Sequence, residues 1–386
     1  MSLPTAHLEE KSPLKDTTVM PGLYVHIPFC RAKCPYCDFY SVHDSELYAA
    51  WLKAIEQEIV LYKDRFSHFG TLYLGGGTPT VLPLDHLSRL IDSLFRELTL
   101  APWAEKTIEA NPDDITPEKL ILLQNSGFNR ISLGIQSFND RILQLLARQH
   151  TAVASRQAVV AVREAGFENV NLDLMYGIPT QSLNDWIQTL EEAGSMEPEH
   201  ISCYQLTFKD DTPFWAEKER GALQTLTEAA EEEFFLATSE LLQSKGYIHY
   251  EISNYARQEK YYSAHNMNYW KRVPYLGLGP SSHSLNHETR WWNYRSVEYY
   301  IQSLQQGRPP VAGREILSPE QVRLEALLLN FRTRNGMDLK TLQKYHHANR
   351  NLPHLIESKL LEIIGDHVRP TPRGFLVADS LAQHFC

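Results

Sequence analysis

Cys30-Arg31-Ala32-Lys33-Cys34-Pro35-Tyr36-Cys37 gathers three of the chain's five cysteines into eight residues. It follows directly on Leu23-Tyr24-Val25-His26-Ile27, an apolar run that reads as a strand, so the thiols fall in the loop at that strand's C-terminal end. Three thiolates this close can wrap one iron–sulfur cluster and leave one iron without a protein ligand. Structural zinc closes its shell with four ligands, and since no second Cys-x-x-Cys pair is present, zinc would need His26 or His43 as the fourth. Three incidental buried cysteines are the bland alternative.

Cys203 and Cys386 stand alone, and an odd count in 386 residues is poor material for a disulfide framework. Residues 1–20 are polar and charged, without the apolar core of a signal peptide, and no apolar run approaches the ~20 residues that span a bilayer. A cytoplasmic setting is the expectation, with no transmembrane segment. The 43% hydrophobic and 22% charged residues suit a folded globular protein. With 37 basic against 47 acidic residues, the net charge of −10 gives no general attraction to nucleic acid.

From Gly22 to Phe208 short β-rich runs alternate with longer helical ones, the mark of parallel βα units. The strands fall at Leu23–Ile27, Thr71–Leu74, Thr107–Ala110, Arg130–Ile135, Asn169–Leu174 and His200–Leu206. In such folds sites gather at the C-terminal strand ends. There lie Gly75-Gly76-Gly77-Thr78-Pro79, Asn111-Pro112-Asp113-Asp114 and Gln136-Ser137. The division expected is a tail over 1–20, a barrel over 21–210, an aromatic-rich extension over 211–312, in which a helix at Leu226–Ser244 leads into an irregular segment over Tyr247–Tyr300, and a winged-helix-like α+β domain over 313–386. In the last, helices are predicted at Pro319–Asn330, near Leu339–Tyr345 and near Leu355–Ile364, with a hairpin across Val368–Val377.

The cysteine spacing after a first strand, with Tyr36 just before the last thiol, resembles the radical S-adenosylmethionine superfamily, and Gly75-Gly76-Gly77-Thr78-Pro79 resembles its glycine-rich loop. The resemblance implies an α/β fold, a partial (βα)6 TIM-like barrel with a C-terminal accessory α+β domain. It also implies a [4Fe-4S] cluster on Cys30, Cys34 and Cys37 whose open iron chelates S-adenosyl-L-methionine, cleaved after electron transfer to a 5′-deoxyadenosyl radical. Further segments, among them Ile108-Glu109-Ala110-Asn111-Pro112 and Asn171-Leu172-Asp173, resemble the branch that contains oxygen-independent coproporphyrinogen III oxidase. Carried over residue by residue, the cofactor's surroundings are Tyr24, Tyr36, Gly76, Gly77, Thr78 and Glu109, with a second cofactor group at Gln136, Arg148 and Asp173. Arg148 is expected in a helix.

The oxidase has a further cysteine two residues beyond the third, where this chain has Phe39. The pattern instead resembles the HemW-type haem chaperones, as does His265-Asn266-Met267-Asn268-Tyr269-Trp270, which matches their HNxxYW motif. That resemblance implies haem as a third cofactor, His265 as a ligand to its iron, and a haem-acceptor protein, membrane-associated or not, as partner. An aromatic-rich stretch is also ordinary domain core, so packing is the competing role for His265. The competing function is the oxidase's decarboxylation of coproporphyrinogen III.

Overall fold

The computed structural model describes residues 20–386, so the tail expected over 1–20 lies, up to residue 19, outside the described residues. Six parallel strands follow one another in sequence order and in space: β1 (Gly22–Ile27), β2 (Phe69–Gly76), β3 (Leu100–Ala110), β4 (Arg130–Gln136), β5 (Val170–Tyr176) and β6 (His200–Gln205). Five helices, Tyr48–Tyr62, Leu84–Glu97, Pro117–Asn125, Ala152–Glu164 and Leu183–Ser195, make the connections. Several carry explicit start signals. Thr116 and Thr151 accept backbone N–H bonds as N-caps, and Ser182 with Asp185 forms a full capping box.

Residue alternation gives the six strands two unlike faces. Leu23, Val25, Ile27, Leu72, Leu74, Ile108, Ile131, Leu133, Leu172, Leu174 and Ile201 are fully buried against the helices. The opposite positions carry Tyr24, His26, Tyr73, Glu109, Ser132, Asn171, Asp173, Ser202 and Tyr204, which bond or stack with one another in the concave interior, and Thr71, which bonds His265. A packed barrel fills this space with branched apolar side chains. Here the interior is polar and lined by tyrosines instead.

The sheet does not stop at six strands. The helix expected at Leu226–Ser244 forms as Glu228–Ser244, but the segment expected as irregular after it supplies β7 (Ile248–Glu251), β8 (Asn254–Ala256), β9 (Tyr275–Leu278), β10 (His283–Asn286) and β11 (Thr289–Asn293), with β12 (Val311–Ile316) following. Strands β8 and β7 extend the β6 edge, while β9 to β12 extend the β1 edge, in the order β12-β11-β10-β9-β1. The aromatic density of these short strands hid their alternation.

One buried carboxylate fastens the β1 side. Glu58, wholly enclosed on the first helix, accepts from Gly279 N (2.7 Å), Tyr300 Oη (2.6 Å) and Asn293 Nδ2 (2.6 Å). Burial pushes its carboxyl up to about 7 in spite of these donors.

The C-terminal region has its own core, including Leu327, Phe331, Leu342, Leu355, Val368 and Phe385. Helices Pro319–Asn330, Leu339–Leu342 and Ala348–Glu357 pack with a three-stranded antiparallel sheet of β13 (Met337–Asp338), β15 (His367–Pro370) and β14 (Leu361–Ile364). The hairpin therefore turns at Gly365-Asp366, and the third helix ends before Leu361–Ile364, an apolar run whose period suits helix and strand alike. Lys359, at φ 57°, breaks the helix there.

Glu58→Ala strands three buried donors, so a loss of roughly 3 kcal/mol in unfolding free energy is expected by chemical denaturation. A carboxyl raised when folded stabilises fully below its unfolded pKa and loses that contribution as pH rises to about 7. The stability of the natural chain relative to Glu58→Gln is thus expected to fall between pH 4.5 and 7; a flat difference would show that Glu58 does not titrate.

Candidate functional site

At the C-terminal end of β1 the chain turns through Phe29, which bridges to Val42, and Cys30 N donates to Val42 O (3.1 Å). This ties the cysteine loop back on itself. Cys37 N donates to Cys34 O (3.1 Å), closing a tight turn around Pro35-Tyr36. All three thiols are half-buried and free. Burial raises Cys30, and it pushes Cys37 up to about 11 with the other two thiols adding. Left as thiols, Cys30 and Cys37 resist ionisation; metal binding reverses that preference.

The glycine loop is placed by contact with this segment. Gly76 and Gly77 lie so close to β1 that a Cβ would stand 2.7 Å from the His26 ring and 2.5 Å from Phe29 O, respectively. Gly76 also has φ +109°, which glycine alone adopts without strain. Gly77 N donates to Ile27 O (2.8 Å) and Thr78 N to Phe29 O (2.7 Å), so the loop continues the β1–β2 pairing past the last strand residue. Thr78 Oγ1 then lies 3.7 Å from Cys30 Sγ.

Glu109 reaches the same place from the end of β3. Its carboxylate accepts from Tyr73 Oη (2.8 Å) and Gly76 N (3.3 Å). Burial pushes it up to about 7, with Asp173 adding and the two donors opposing.

Arg148 joins the first group to the second. Contrary to the expectation of a helix, it lies in the loop after helix Asp140–Leu145, behind Ala147 at φ 53°. Its guanidinium donates to Cys34 Sγ (3.6 Å), to Gly134 O (3.0 Å) and to Asn111 Oδ1, while its Nε is buried without a partner. Asn111 in turn donates to Thr78 Oγ1 (3.1 Å). Asn111 was not among the site residues expected from sequence, since its amide gains a role only when the cysteine and glycine loops meet. The quoted Ile108–Pro112 motif was the available signal.

Gln136 turns out of β4 at φ 64°, at a local cost of about 1–2 kcal/mol for a residue with a Cβ. Its Nε2 lies where a side chain on Gly134 would go. Asp173 accepts from Ser132 Oγ (2.7 Å) and Asn171 Nδ2 (2.9 Å), and burial raises its carboxyl. Tyr24 donates its hydroxyl to His26 Nδ1 (3.1 Å), since Nε2 of that ring gives its hydrogen to Tyr40 O (2.8 Å). Tyr36 packs on Phe214, whose N–H meets Pro35 O (3.0 Å).

His265 sits apart. It starts the helix Ala264–Trp270 beneath the opposite, N-terminal end of the strands, 1% exposed. Nδ1 bonds Thr71 Oγ1 (2.8 Å) and Nε2 bonds Tyr269 Oη (2.9 Å), and burial pushes the ring down to about 3. Both nitrogens are engaged as they stand, and the helix closes the barrel floor.

Among the described residues no three His, Cys, Asp or Glu side chains converge on a point as ligands of one ion. A four-iron cluster spreads its thiolates around itself. Three neighbouring thiols, a hydroxyl and a guanidinium beside two of them, the unpartnered Arg148 Nε and a loop stripped of Cβ atoms suit such a group with an amino-acid-bearing ligand on its open side.

Barrel, cysteine loop and glycine loop together define the radical SAM class: the Radical SAM superfamily model matches residues 24–193, and the HemN C-terminal domain model matches 317–377. Membership implies a [4Fe-4S] cluster and S-adenosylmethionine. Across 94% of both chains the sequence is 32% identical to the heme chaperone HemW of Mycobacterium tuberculosis, and it is 34% identical to that of Bacillus subtilis over 89% of this chain and 91% of that one. The chain belongs to the HemW family. In fold it matches coproporphyrinogen III oxidase (HemN) from Escherichia coli with a TM-score of 0.82 at 24% identity, covering 95% of this chain and 90% of the other.

Replacing any one of Cys30, Cys34 or Cys37 by Ala is expected to abolish retention of four irons per chain after anaerobic reconstitution, while Cys203→Ala, deep in β6, retains them; equal iron in all four variants would refute the site. Because Glu109 ionises near pH 7, affinity for S-adenosylmethionine should rise as pH goes from 6 to 8, approaching tenfold per unit on the acid side. Isothermal titration across that range measures it.

Proposed function

We propose that this chain is a haem chaperone, which binds haem, a [4Fe-4S] cluster and S-adenosylmethionine and passes the haem to an acceptor protein. The observation that carries this reading is similarity, at 32% and 34% identity and along nearly the whole chain, to relatives named heme chaperones. Cys30, Cys34 and Cys37 would hold the cluster, and Glu109 with the Gly76-Gly77-Thr78 backbone would hold the cofactor's amino-acid end. When bound, the cluster supplies one electron at its open iron. Arg148 stabilises the Cys34 thiolate by charge, Thr78 donates towards the Cys30 sulfur, and Tyr36 on Phe214 keeps water from that side. Gln136, Arg148 and Asp173 would take a second cofactor molecule.

His265 would serve as an iron ligand once its bonds to Thr71 and Tyr269 are exchanged, which requires the helix Ala264–Trp270 to leave the floor. The partner would be a haem-acceptor protein, membrane-associated or not; no described helix of this chain is long and apolar enough to cross a membrane. Phe39, at the position where the oxidase has its extra cysteine, is 69% exposed.

Titration of reconstituted protein with haem is expected to give a saturable Soret change near one equivalent, and its absence would end the chaperone reading. His265→Ala should weaken haem binding several-fold with iron content intact; unchanged affinity would return His265 to a packing role. A reduced, cluster-loaded preparation with S-adenosylmethionine is expected to convert no coproporphyrinogen III to protoporphyrinogen IX, as chromatography of the porphyrins would show.

A further inference from the structure

The two sites just described lie at opposite ends of one barrel, and one side chain touches both. Strand alternation lines Thr71, Tyr73 and Gly75 in a column on the inner face of β2. At the base of the column Thr71 holds His265 Nδ1 (2.8 Å). Above it the Tyr73 ring stacks on the His265 imidazole, with centroids 5.0 Å apart and planes 28° from parallel. At the top the same side chain gives its hydroxyl to Glu109 Oε1 (2.8 Å). Gly75 leaves the room for this: a Cβ there would lie 2.8 Å from Tyr73 Cε1 and 3.1 Å from the Glu109 carboxyl carbon. Tyr24 flanks the stack, 6.2 Å from Tyr73 and 6.3 Å from His265, so the rings have little freedom to shift one at a time.

We infer that Tyr73 is a positioning residue that couples the ends of the barrel: whether Glu109 is paired with the cofactor's ammonium group sets how firmly His265 is held in the floor. This rests on the reading of Glu109 as the ammonium site and His265 as a haem ligand. A bare carboxylate is a strong acceptor and pins the phenol. A carboxylate that gains an ammonium partner binds the phenol less strongly, the ring is released towards the cavity, and the imidazole loses the face it is stacked on. By linkage each ligand then favours the other.

The test uses cluster-loaded, unreduced holoprotein titrated with haem, with and without saturating S-adenosylmethionine. The expected result is haem affinity at least about 5-fold tighter with the cofactor in the natural chain. In Tyr73→Phe, which keeps the stack and removes the bond to Glu109, haem affinity should be the same with and without cofactor. His265→Gln, which lacks the imidazole, should likewise lose the dependence. A natural chain that binds both ligands independently, or a Tyr73→Phe variant with the full dependence, overturns the coupling and leaves the chaperone reading standing. A natural chain that binds no haem overturns both.

Discussion

The close approach of the glycine loop to the end of β1 is the contact on which the site depends. With Gly77 packed against the Phe29 backbone and Gly76 against the His26 ring, the β1–β2 pairing runs on beyond the strands, and the two loops that follow are locked to one another. Any side chain at those positions would push the loops apart by the width of a methyl group. Thr78 would then leave Cys30, Asn111 would lose Thr78, and Arg148 would lose the amide that orients it. The thiols, the carboxylate and the guanidinium come from three different places, the loop after β1, the end of β3 and the loop after helix Asp140–Leu145, and the packed glycine loop holds them in one frame.

Below that frame the barrel is layered. Glu109 and Asp173 occupy the upper level, Tyr24 and Tyr73 the middle, and Thr71 with His265 and Tyr269 the floor. The layers follow from strand register: Tyr24 lies opposite Tyr73 and Gly22 opposite Thr71. Burial then acts on each polar group in the direction that keeps it neutral, raising the two carboxyls and lowering the imidazoles of His26 and His265. A cation entering at the top would favour the ionised form of both carboxyls.

Much of this was legible before any coordinates. The triple cysteine after an apolar run, the glycine loop after the second and the acid ending the third each carry a local signal, because strand ends in parallel folds are also ligand sites. The strands β7 to β12 were not legible, since their aromatic runs lack clean alternation and gain a partner only at the sheet edges. Arg148 was misplaced because Leu145 and Leu146 continue the helical pattern up to a turn that Ala147 makes with positive φ. Asn111 and Tyr73 were missed for a shared reason: what they touch, Thr78 and Arg148 for the one and Glu109 and His265 for the other, lies far along the chain.

By itself the sequence determined the class of fold, the family resemblance and the donor types, since thiol count, glycine placement and strand periodicity are properties of short stretches. Only the tertiary structure decided which donors meet. It brought Arg148 to Cys34 across 114 positions and put Thr71 against His265 across 194. It also set the HNxxYW histidine in the floor of the barrel with both nitrogens engaged, a placement that depends on the extension returning to pair beside β1. Contacts of that range arise from sheet order and close packing, which no local spacing encodes.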